Sequence, residues 1–302
     1  MKGAAASVRD REDIGYRYFF LSFSAAFFVL SVLFLFLMTT VHPKTPESLG
    51  VVRQQEKELY LPTSQDCMTV LLIGYKTGRT QANSFVLARF DPVRGKVPLV
   101  VLPPQTLVQN GDKTETLRQV YEYGGADYAR NALARTLGVP VHRYVRIHTD
   151  AFVACADAVG TVEFALPGDL TVQSGGVSAV LRAGTQLLDG QRVLAVVEGS
   201  GAEQGELARC HLAGELAAAI VNQRIDVVQS TLVDKVFETV INLIDTDISY
   251  PDYDNRKAAA ELLAQLSRNP AYSLPAAGEM EQNGERFALG DTFVAQVRQS
   301  FA

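Results

Sequence analysis

The chain contains no tryptophan, four histidines and only three cysteines in 302 residues. Cys67, Cys155 and Cys210 lie far apart and show no C-x-x-C spacing, so they indicate neither a disulfide framework nor a zinc site. We expect Cys155 to pack in the core, as free cysteines usually do. The histidines also lack the spacing of a metal site, and low-complexity tracts and internal repeats are absent.

Positive charge is not in excess either. Lysine and arginine total 28 against 33 acidic residues, which gives a formal net charge of −5. Binding to nucleic acid requires a concentrated basic face, and the sequence shows none. We therefore exclude nucleic acid as a partner. The length beyond an N-terminal segment is enough for one domain with a substantial core.

The segment Phe19–Val41 contains no charged residue and is long enough to span a bilayer as a helix. Three arginines lie between residues 9 and 17, whereas only Lys44 follows closely on the other side. This bias favours a cytoplasmic N-terminus and an extracellular C-terminal domain in the cell membrane. A cleaved signal peptide is the alternative, but the apolar run is longer than usual and no A-x-A-like site follows it.

These features divide the chain into four parts. We predict a short cytoplasmic tail at 1–18, a transmembrane helix at 19–41, a proline-containing juxtamembrane stalk at 42–66 and a folded domain at 67–302. The membrane itself is thus a predicted partner, through Phe19–Val41.

Strand and helix patterns alternate from residue 67 onward, which predicts an α/β domain. Short apolar runs predict buried strands at Cys67–Gly74, Ser84–Phe90 and Lys96–Leu102. Pro98 suggests that the third strand lies at an edge of the sheet or is interrupted. Helices are predicted at 190–197, 205–224, 232–244, from Asp254 onward, and at 291–301.

The stretch 121–160 carries a helix, a strand and a second helix. Gly124-Gly125 opens a run with apolar residues at helical spacing, and Gly138 is suited to end it. A strand is predicted at Tyr144–Ile147. Thr149 is then the expected N-cap of the second helix.

Two blocks of letters carry a resemblance to a known family. The blocks YGG…LARTLGVPVHRYV…DAF…DAVG and LLDGQRVLAVV resemble the LytR–CpsA–Psr (LCP) family of cell-envelope proteins, whose members show AYGG…LLGIPIDYYV…DFDGF…DALGG and HLDGEQALAYVR. The resemblance covers about 67–302. It implies an α/β/α sandwich with a mixed central sheet and an apolar tunnel for a polyprenyl chain.

The same resemblance implies a glycopolymer phosphotransferase, which moves a polymer from a polyprenyl pyrophosphate carrier to peptidoglycan or another acceptor. Such chemistry uses Mg²⁺ on carboxylate oxygens and arginines on phosphate. This chain departs from the pattern at most of the matching positions. Lys76 stands in place of the acidic residue of GSDSR, Asn83 in place of the aspartate of RSDT, and Pro104 in place of the arginine of PRDT.

Further departures follow along the chain. The family's KIN becomes Thr116-Leu117-Arg118, its RYR pair becomes Glu198-Gly199-Ser200, and GRTERQ becomes 205–210. In this last element Glu206 replaces the first arginine, the second survives as Arg209, and Cys210 replaces the glutamine. The pattern predicts a relative whose metal-binding and phosphate-binding groups are largely gone.

Our leading hypothesis is a degenerate, non-catalytic LCP protein that binds lipid-linked glycopolymer or envelope partners and needs no cofactor. The residues left for phosphate or carrier binding are Lys76, Asn83, Arg118 and Arg209. The alternative is an active phosphotransferase whose catalytic groups have moved. It would require Mg²⁺ and would draw carboxylates from residues such as Asp112, Glu115 and Glu122.

Overall fold

The computed structural model describes residues 60–76, 78, 80–174, 177–199, 205–225, 233–281 and 284–302. The predicted tail and transmembrane segment, and the predicted stalk up to residue 59, lie outside the described residues. Within the described part, no helix is both long enough and apolar enough to cross a bilayer.

The strands are named in chain order. They are β1 (Met68–Tyr75), β2 (Ala82–Phe90), β3 (Val97–Leu102), β4 (Leu107–Asn110), β5 (Lys113–Thr116), β6 (Arg143–His148), β7 (Val162–Leu166), β8 (Leu170–Ser174), β9 (Val177–Leu181), β10 (Gly184–Leu188), β11 (Asp245–Thr246), β12 (Ala271–Ser273), β13 (Gly278–Glu281) and β14 (Arg286–Leu289).

The helices are named in the same way. They are α1 (Leu117–Leu137), α2 (Thr149–Val159), α3 (Gly190–Gly199), α4 (Glu206–Arg224), α5 (Val233–Ile241), α6 (Tyr250–Asp254), α7 (Lys257–Leu266) and α8 (Asp291–Phe301).

A six-stranded mixed sheet forms the centre, in the order β11-β6-β1-β2-β3-β12. The pairs β1–β6 and β3–β12 are parallel, and the pairs β1–β2, β2–β3 and β6–β11 are antiparallel. β1 is buried along nearly its whole length because both faces of the sheet are covered. The mixed α/β fold predicted from the sequence is therefore confirmed.

Two hydrophobic clusters cover the two faces. One contains Leu72, Phe152 and Leu216 and packs α2, α3, α4 and α7 on the sheet. The other contains Leu71, Leu133 and Val297 and packs α1 and α8 on the opposite face. Since side chains alternate between the faces of a strand, successive residues of β1 supply the two clusters in turn. The result is an α/β/α sandwich.

Helix α1 begins seven residues before the glycine pair that the sequence analysis took as its start. Thr116 caps it, with its hydroxyl accepting from Gln119 N at 3.3 Å and the Gln119 side chain bonding back. The pattern missed this first turn. At Gly125 the backbone leaves helical geometry, with φ 69° and ψ −164°. Gly125 thus separates two helical segments of α1: the second begins directly after the glycine pair, as predicted, and the sequence analysis missed only the segment 117–124 before it.

The predicted N-cap of α2 was wrong by one residue. His148 occupies the cap position, and its Nδ1 accepts a hydrogen bond from Ala151 N at 3.4 Å, while Thr149 is already helical. The prediction for Pro98 was also wrong, because β3 has neighbours on both sides. β12 is short, and its hydrogen bond to this part of β3 comes from Val97 N, which donates to Pro270 O. The N–H that Pro98 lacks is therefore not needed for pairing with β12.

The break at Gly125 gives a stability prediction. Gly125→Ala should reduce the free energy of unfolding by about 1–3 kcal/mol, because a side chain disfavours this backbone region. Gly168→Ala is the matched control, since nothing lies within 4 Å of a Cβ there and φ is not positive. Urea denaturation measures both variants, and equal effects would contradict the assignment of strain to Gly125.

Candidate functional site

The candidate site lies at one edge of the sheet, where β1, β3 and β6 end; we call it the carboxyl edge. Lys76 directly follows β1, and Asn83 lies near the start of β2, whose Ala82 pairs with Tyr75. Arg118 belongs to the first turn of α1, and its backbone N donates to Pro104 O just beyond β3 at 3.0 Å. Three of the four predicted residues therefore share this edge.

The fourth, Arg209, reaches the same edge through α4. A Cβ on Gly214 would lie 3.8 Å from Val101 Cγ2 and would overlap Ser273 Oγ, which places the middle of α4 over the ends of β3 and β12. The first turn of α4 consequently extends past the carboxyl edge. Arg209 in this turn lies within electrostatic reach of Glu198, and so does Lys76.

Arg209 is buried, with only 6% of its surface exposed, and its guanidinium is occupied by the protein. Its Nε donates to Glu206 Oε2 at 3.0 Å, its Nη2 donates to the other oxygen of Glu206, and its Nη1 reaches Val197 O at 3.4 Å. This two-point pairing matches the geometry that an arginine offers to phosphate. Glu206, which replaces an arginine of the family pattern, thus occupies the fork of the arginine that survives.

Glu198 ends the apolar stripe of α3 and is held close to Lys76 and Arg209. Burial raises the pKa of this carboxyl from its ordinary 4.5 to about 7, although both neighbouring cations act in the opposite direction. Lys76 and Arg209 are therefore accompanied by two carboxyl groups, Glu198 and Glu206, and Glu198 is partly protonated near neutral pH.

Three buried polar atoms near this edge have no hydrogen-bond partner among the described residues. They are Ser84 Oγ beside Asn83, Gln105 Oε1 just after β3, and Arg118 Nε. Buried polar atoms in native proteins are nearly always paired, with protein, water or ligand. Each of the three atoms therefore has room for a hydrogen bond to water or to a polar ligand at this edge.

A second cluster on the α1 side of the same edge was missed by sequence reasoning. Arg146 donates from Nε to the Tyr121 hydroxyl at 3.0 Å, pairs with Asp245, and lies 5.3 Å from the centre of the Tyr75 ring. Arg146 and His148 alternate with buried Val145 and Ile147 on β6. This alternation was the available signal, because it puts Arg146 on the face that Tyr75 shares.

The three cysteines, and His142 and His211, make contacts that stabilise the fold. All three thiols are free and buried, and burial raises the pKa of Cys155 and of Cys210 to about 12, which disfavours thiolate chemistry. The core position expected for Cys155 is confirmed. His142 accepts from Thr69 N at 2.9 Å and His211 Nε2 bonds Ala276 O at 2.9 Å.

The carboxylates suggested for a relocated metal site do not form a cluster. Glu115 accepts from Asn110 Nδ2 at 2.9 Å and from the Tyr123 hydroxyl at 2.7 Å. Asp112 and Glu122 are exposed on the β4–β5 turn and on α1. In the part of the chain that the structure describes, no group of three or more His, Cys, Asp or Glu residues is arranged to hold a metal ion.

Comparison with protein families gives a match to the LytR_cpsA_psr family model over residues 35–299. The chain belongs to the LytR–CpsA–Psr family. This confirms the resemblance drawn from the two sequence blocks. The match includes the strands and helices that surround the candidate site.

Individual relatives are distant. The polyisoprenyl-teichoic acid–peptidoglycan teichoic acid transferase TagU of Bacillus mycoides is 23% identical over 101 residues, which is 32% of this chain and 33% of that protein. The chain thus matches only about a third of the length of the curated relatives.

Solved structures match over a larger part of the chain. Bacillus subtilis TagV superposes with a TM-score of 0.65 at 20% identity, over 79% of this chain and 97% of TagV. A proposed transcription regulator from Eubacterium siraeum superposes with a TM-score of 0.73 at 18% identity, over 84% of this chain and 98% of that one. At these identities the structures establish the shared LCP fold.

The Arg209–Glu206 pair gives a second prediction. Glu206→Ala should reduce the free energy of unfolding by about 3–5 kcal/mol, because it leaves a buried guanidinium without its carboxylate. Adding Arg209→Met should recover most of that loss. Urea denaturation at pH 7.5 measures the series.

Asp127→Ala is the control for that series, since Asp127 also lies three residues from its arginine but is largely exposed, and Arg130 keeps Asp247. We expect a change below about 1 kcal/mol. Similar losses for Glu206→Ala and Asp127→Ala would show that the first pair is not a buried structural pair.

Glu198 gives a pH prediction. Because the folded pKa is raised, the folded state holds its proton more tightly, and stability is lost as pH rises from about 4.5 to about 7. Glu198→Gln mimics the protonated form and should therefore stabilise the protein at pH 8, by up to about 3 kcal/mol. At pH 4.5 the variant and wild type should unfold at similar urea concentrations; a pH-independent difference would contradict the raised pKa.

Proposed function

We propose that this LytR–CpsA–Psr protein is a membrane-anchored envelope protein that binds a polyprenyl-linked glycopolymer, or its peptidoglycan acceptor, without transferring the polymer. The observation that carries the proposal is the pairing of Arg209, the second arginine of the family pattern, with Glu206, which stands in place of the first. A guanidinium whose Nε and Nη2 donors already bind a carboxylate has few donors left for a pyrophosphate.

Electrostatics at the site oppose transfer. A diphosphate approaching Arg209 also meets Glu206, and two like charges 4 Å apart repel by about 1 kcal/mol in a water-like medium and by more in a cleft. The transferring phosphoryl group needs the opposite, since positive charge stabilises it by several kcal/mol in related chemistry. The site therefore disfavours the reaction more strongly than it disfavours binding.

The donor set at the carboxyl edge does not suit Mg²⁺. Lys76 places an ammonium where the family pattern has an acidic residue, and Asn83 offers a neutral amide oxygen in place of a carboxylate. Mg²⁺ is bound by charged oxygen ligands together with phosphate. We therefore assign no step to a metal ion.

Features that favour binding remain at the same edge. Lys76 and Arg118 retain positive charge, and the unpaired atoms Ser84 Oγ, Gln105 Oε1 and Arg118 Nε match a ligand rich in hydroxyl and phosphate oxygens. The Mg²⁺-independent contact of such a ligand with Lys76 and Arg118 is the interaction we propose. The charge-free segment Phe19–Val41 supplies the membrane anchor of this proposal.

A second candidate function is an active transferase with relocated catalytic groups. One observation favours it: Glu198 is a half-buried carboxyl group with a pKa raised to about 7, and Lys76 lies close to it. A carboxyl group with such a pKa can accept a proton from an acceptor hydroxyl at neutral pH. In this case Glu198→Gln would abolish turnover while leaving binding intact.

The central experiment uses the full chain in nanodiscs with a labelled polyprenyl-pyrophosphate oligosaccharide, peptidoglycan and Mg²⁺. Transfer would join the glycosyl phosphate to an acceptor hydroxyl and release polyprenyl monophosphate. We expect the labelled carrier to bind, more weakly after Lys76→Ala or Arg118→Ala, and we expect no polyprenyl monophosphate above the protein-free control. Release that Glu198→Gln removes would establish the second candidate instead.

A gain-of-function variant makes the negative result informative. Lys76→Asp, Asn83→Asp and Glu206→Arg together restore three of the acidic and basic residues of the family pattern. We expect Mg²⁺-dependent release on the order of 10²-fold or more above wild type, because the charges then match those the reaction needs. Folding of the variant is checked by circular dichroism, and a folded variant that binds carrier without turnover would show that more than these charges is missing.

A further inference from the structure

The edge of the sheet opposite the candidate site carries an unusual surface; we call it the amino edge, where β1 and β3 begin. The described chain enters there, because Tyr60 lies eight residues before β1. Large apolar side chains are exposed at this edge: Leu61 at 71%, Val93 at 54% and Leu266 at 74%. Exposed leucines and valines at such levels need an explanation when they gather in one region.

Contacts show that these residues belong to one region. A Cβ on Gly95, in the turn that carries Val93, would lie 3.8 Å from Leu263 of α7, the helix that ends at Leu266. Arg256, just before α7, donates from Nε to Asp66 O at 3.1 Å and from Nη2 to Gln65 O at 3.0 Å. The β2–β3 turn, the end of α7 and the entering chain therefore meet at the amino edge.

Positive charge accompanies the apolar residues. Lys96 and Arg268 are exposed, and Val97 N donates to Pro270 O at 2.9 Å, which keeps their segments side by side. The side chain of Arg94 in the same turn is 46% exposed. Of the nearby anions, Asp91 is buried and pairs with Arg89 and, at 3.7 Å, with Arg94; Asp252 is largely buried and pairs with Arg143; Asp66 is half-buried and accepts from Thr63 N. A chain of net charge −5 thus presents a locally cationic, apolar edge.

We propose that the amino edge lies against the anionic headgroup surface of the membrane. Val93, Leu266 and Leu61 would enter the interfacial layer, and Arg94, Lys96 and Arg268 would contact lipid phosphates. Apolar side chains ringed by cations have the composition of an interfacial membrane-binding surface. The position of Tyr60, only 19 residues after the predicted span ends at Val41, brings this same edge close to the bilayer.

The proposal rests on the membrane anchor of the proposed function and is independent of catalysis. It is tested with the full chain in nanodiscs of phosphatidylcholine containing 30% phosphatidylglycerol, using an environment-sensitive fluorophore on Leu266→Cys or Val93→Cys. Met280→Cys is the matched control, because Met280 is apolar and exposed but pairs with Phe287 next to Thr106, beyond the end of β3. Unsubstituted protein controls for labelling of the three buried native cysteines.

We expect spin-labelled lipid to quench the Leu266 and Val93 probes at least threefold more than the Met280 probe. The double variant Lys96→Glu and Arg268→Glu should reduce that difference by half or more, with unfolding temperature as the check on folding. Equal quenching of all probes would overturn the proposal, and so would protection from aqueous iodide without lipid quenching, which indicates a protein partner.

The failure of the anchor is distinguishable from the failure of this contact. A chain that stays out of the nanodiscs refutes the anchor and this proposal together. A chain that inserts but leaves the Leu266 probe unquenched refutes the contact of the amino edge with lipid alone. Carrier binding measured in the same nanodiscs then tests the proposed function separately.

Discussion

Buried positive charge must be balanced, and in this protein that requirement shapes the candidate site. Arg209 is a buried residue in the first turn of α4, and an unpaired guanidinium there would be strongly destabilising. A member of the family that uses this arginine on phosphate can rely on its ligand for part of that balance. Here Glu206 supplies a carboxylate from the same turn of α4, and in the function we propose this pairing also competes with phosphate for the arginine.

The same charge balance bears on the other residues at the carboxyl edge. Once Glu206 faces Arg209, a metal-binding carboxylate nearby would add uncompensated negative charge, and Lys76 and Asn83 avoid it. Glu198 is the exception, and it avoids full charge by retaining its proton to about pH 7.

Much of the architecture was predictable from the sequence because strand burial and helix stripes are local patterns. The predicted strands match β1, β2 and β3 within about two residues, and the last helix at 291–301 matches α8. The first turn of α1 was missed because Thr116 and Gln119 act through a capping interaction that hydropathy does not reveal. The placement of Lys76, Asn83 and Arg118 on one edge followed from topology. The Arg209–Glu206 pair and the Arg146–Tyr121 contact were missed, although helical i, i+3 spacing and the alternation on β6 were available signals, because neither signal names the partner that a side chain selects.

The two ends of β1 have different neighbours, and that has a consequence for any lipid ligand. The eight residues of β1 separate the amino edge from Lys76 at the carboxyl edge by about 26 Å. An isoprenoid drawn over that distance through open water would lose roughly 25 cal/mol for every Å² of hydrocarbon left wet. Under the orientation proposed above, a carrier whose head group contacts Lys76 would need an apolar surface of the protein along this distance to keep its hydrocarbon chain out of water.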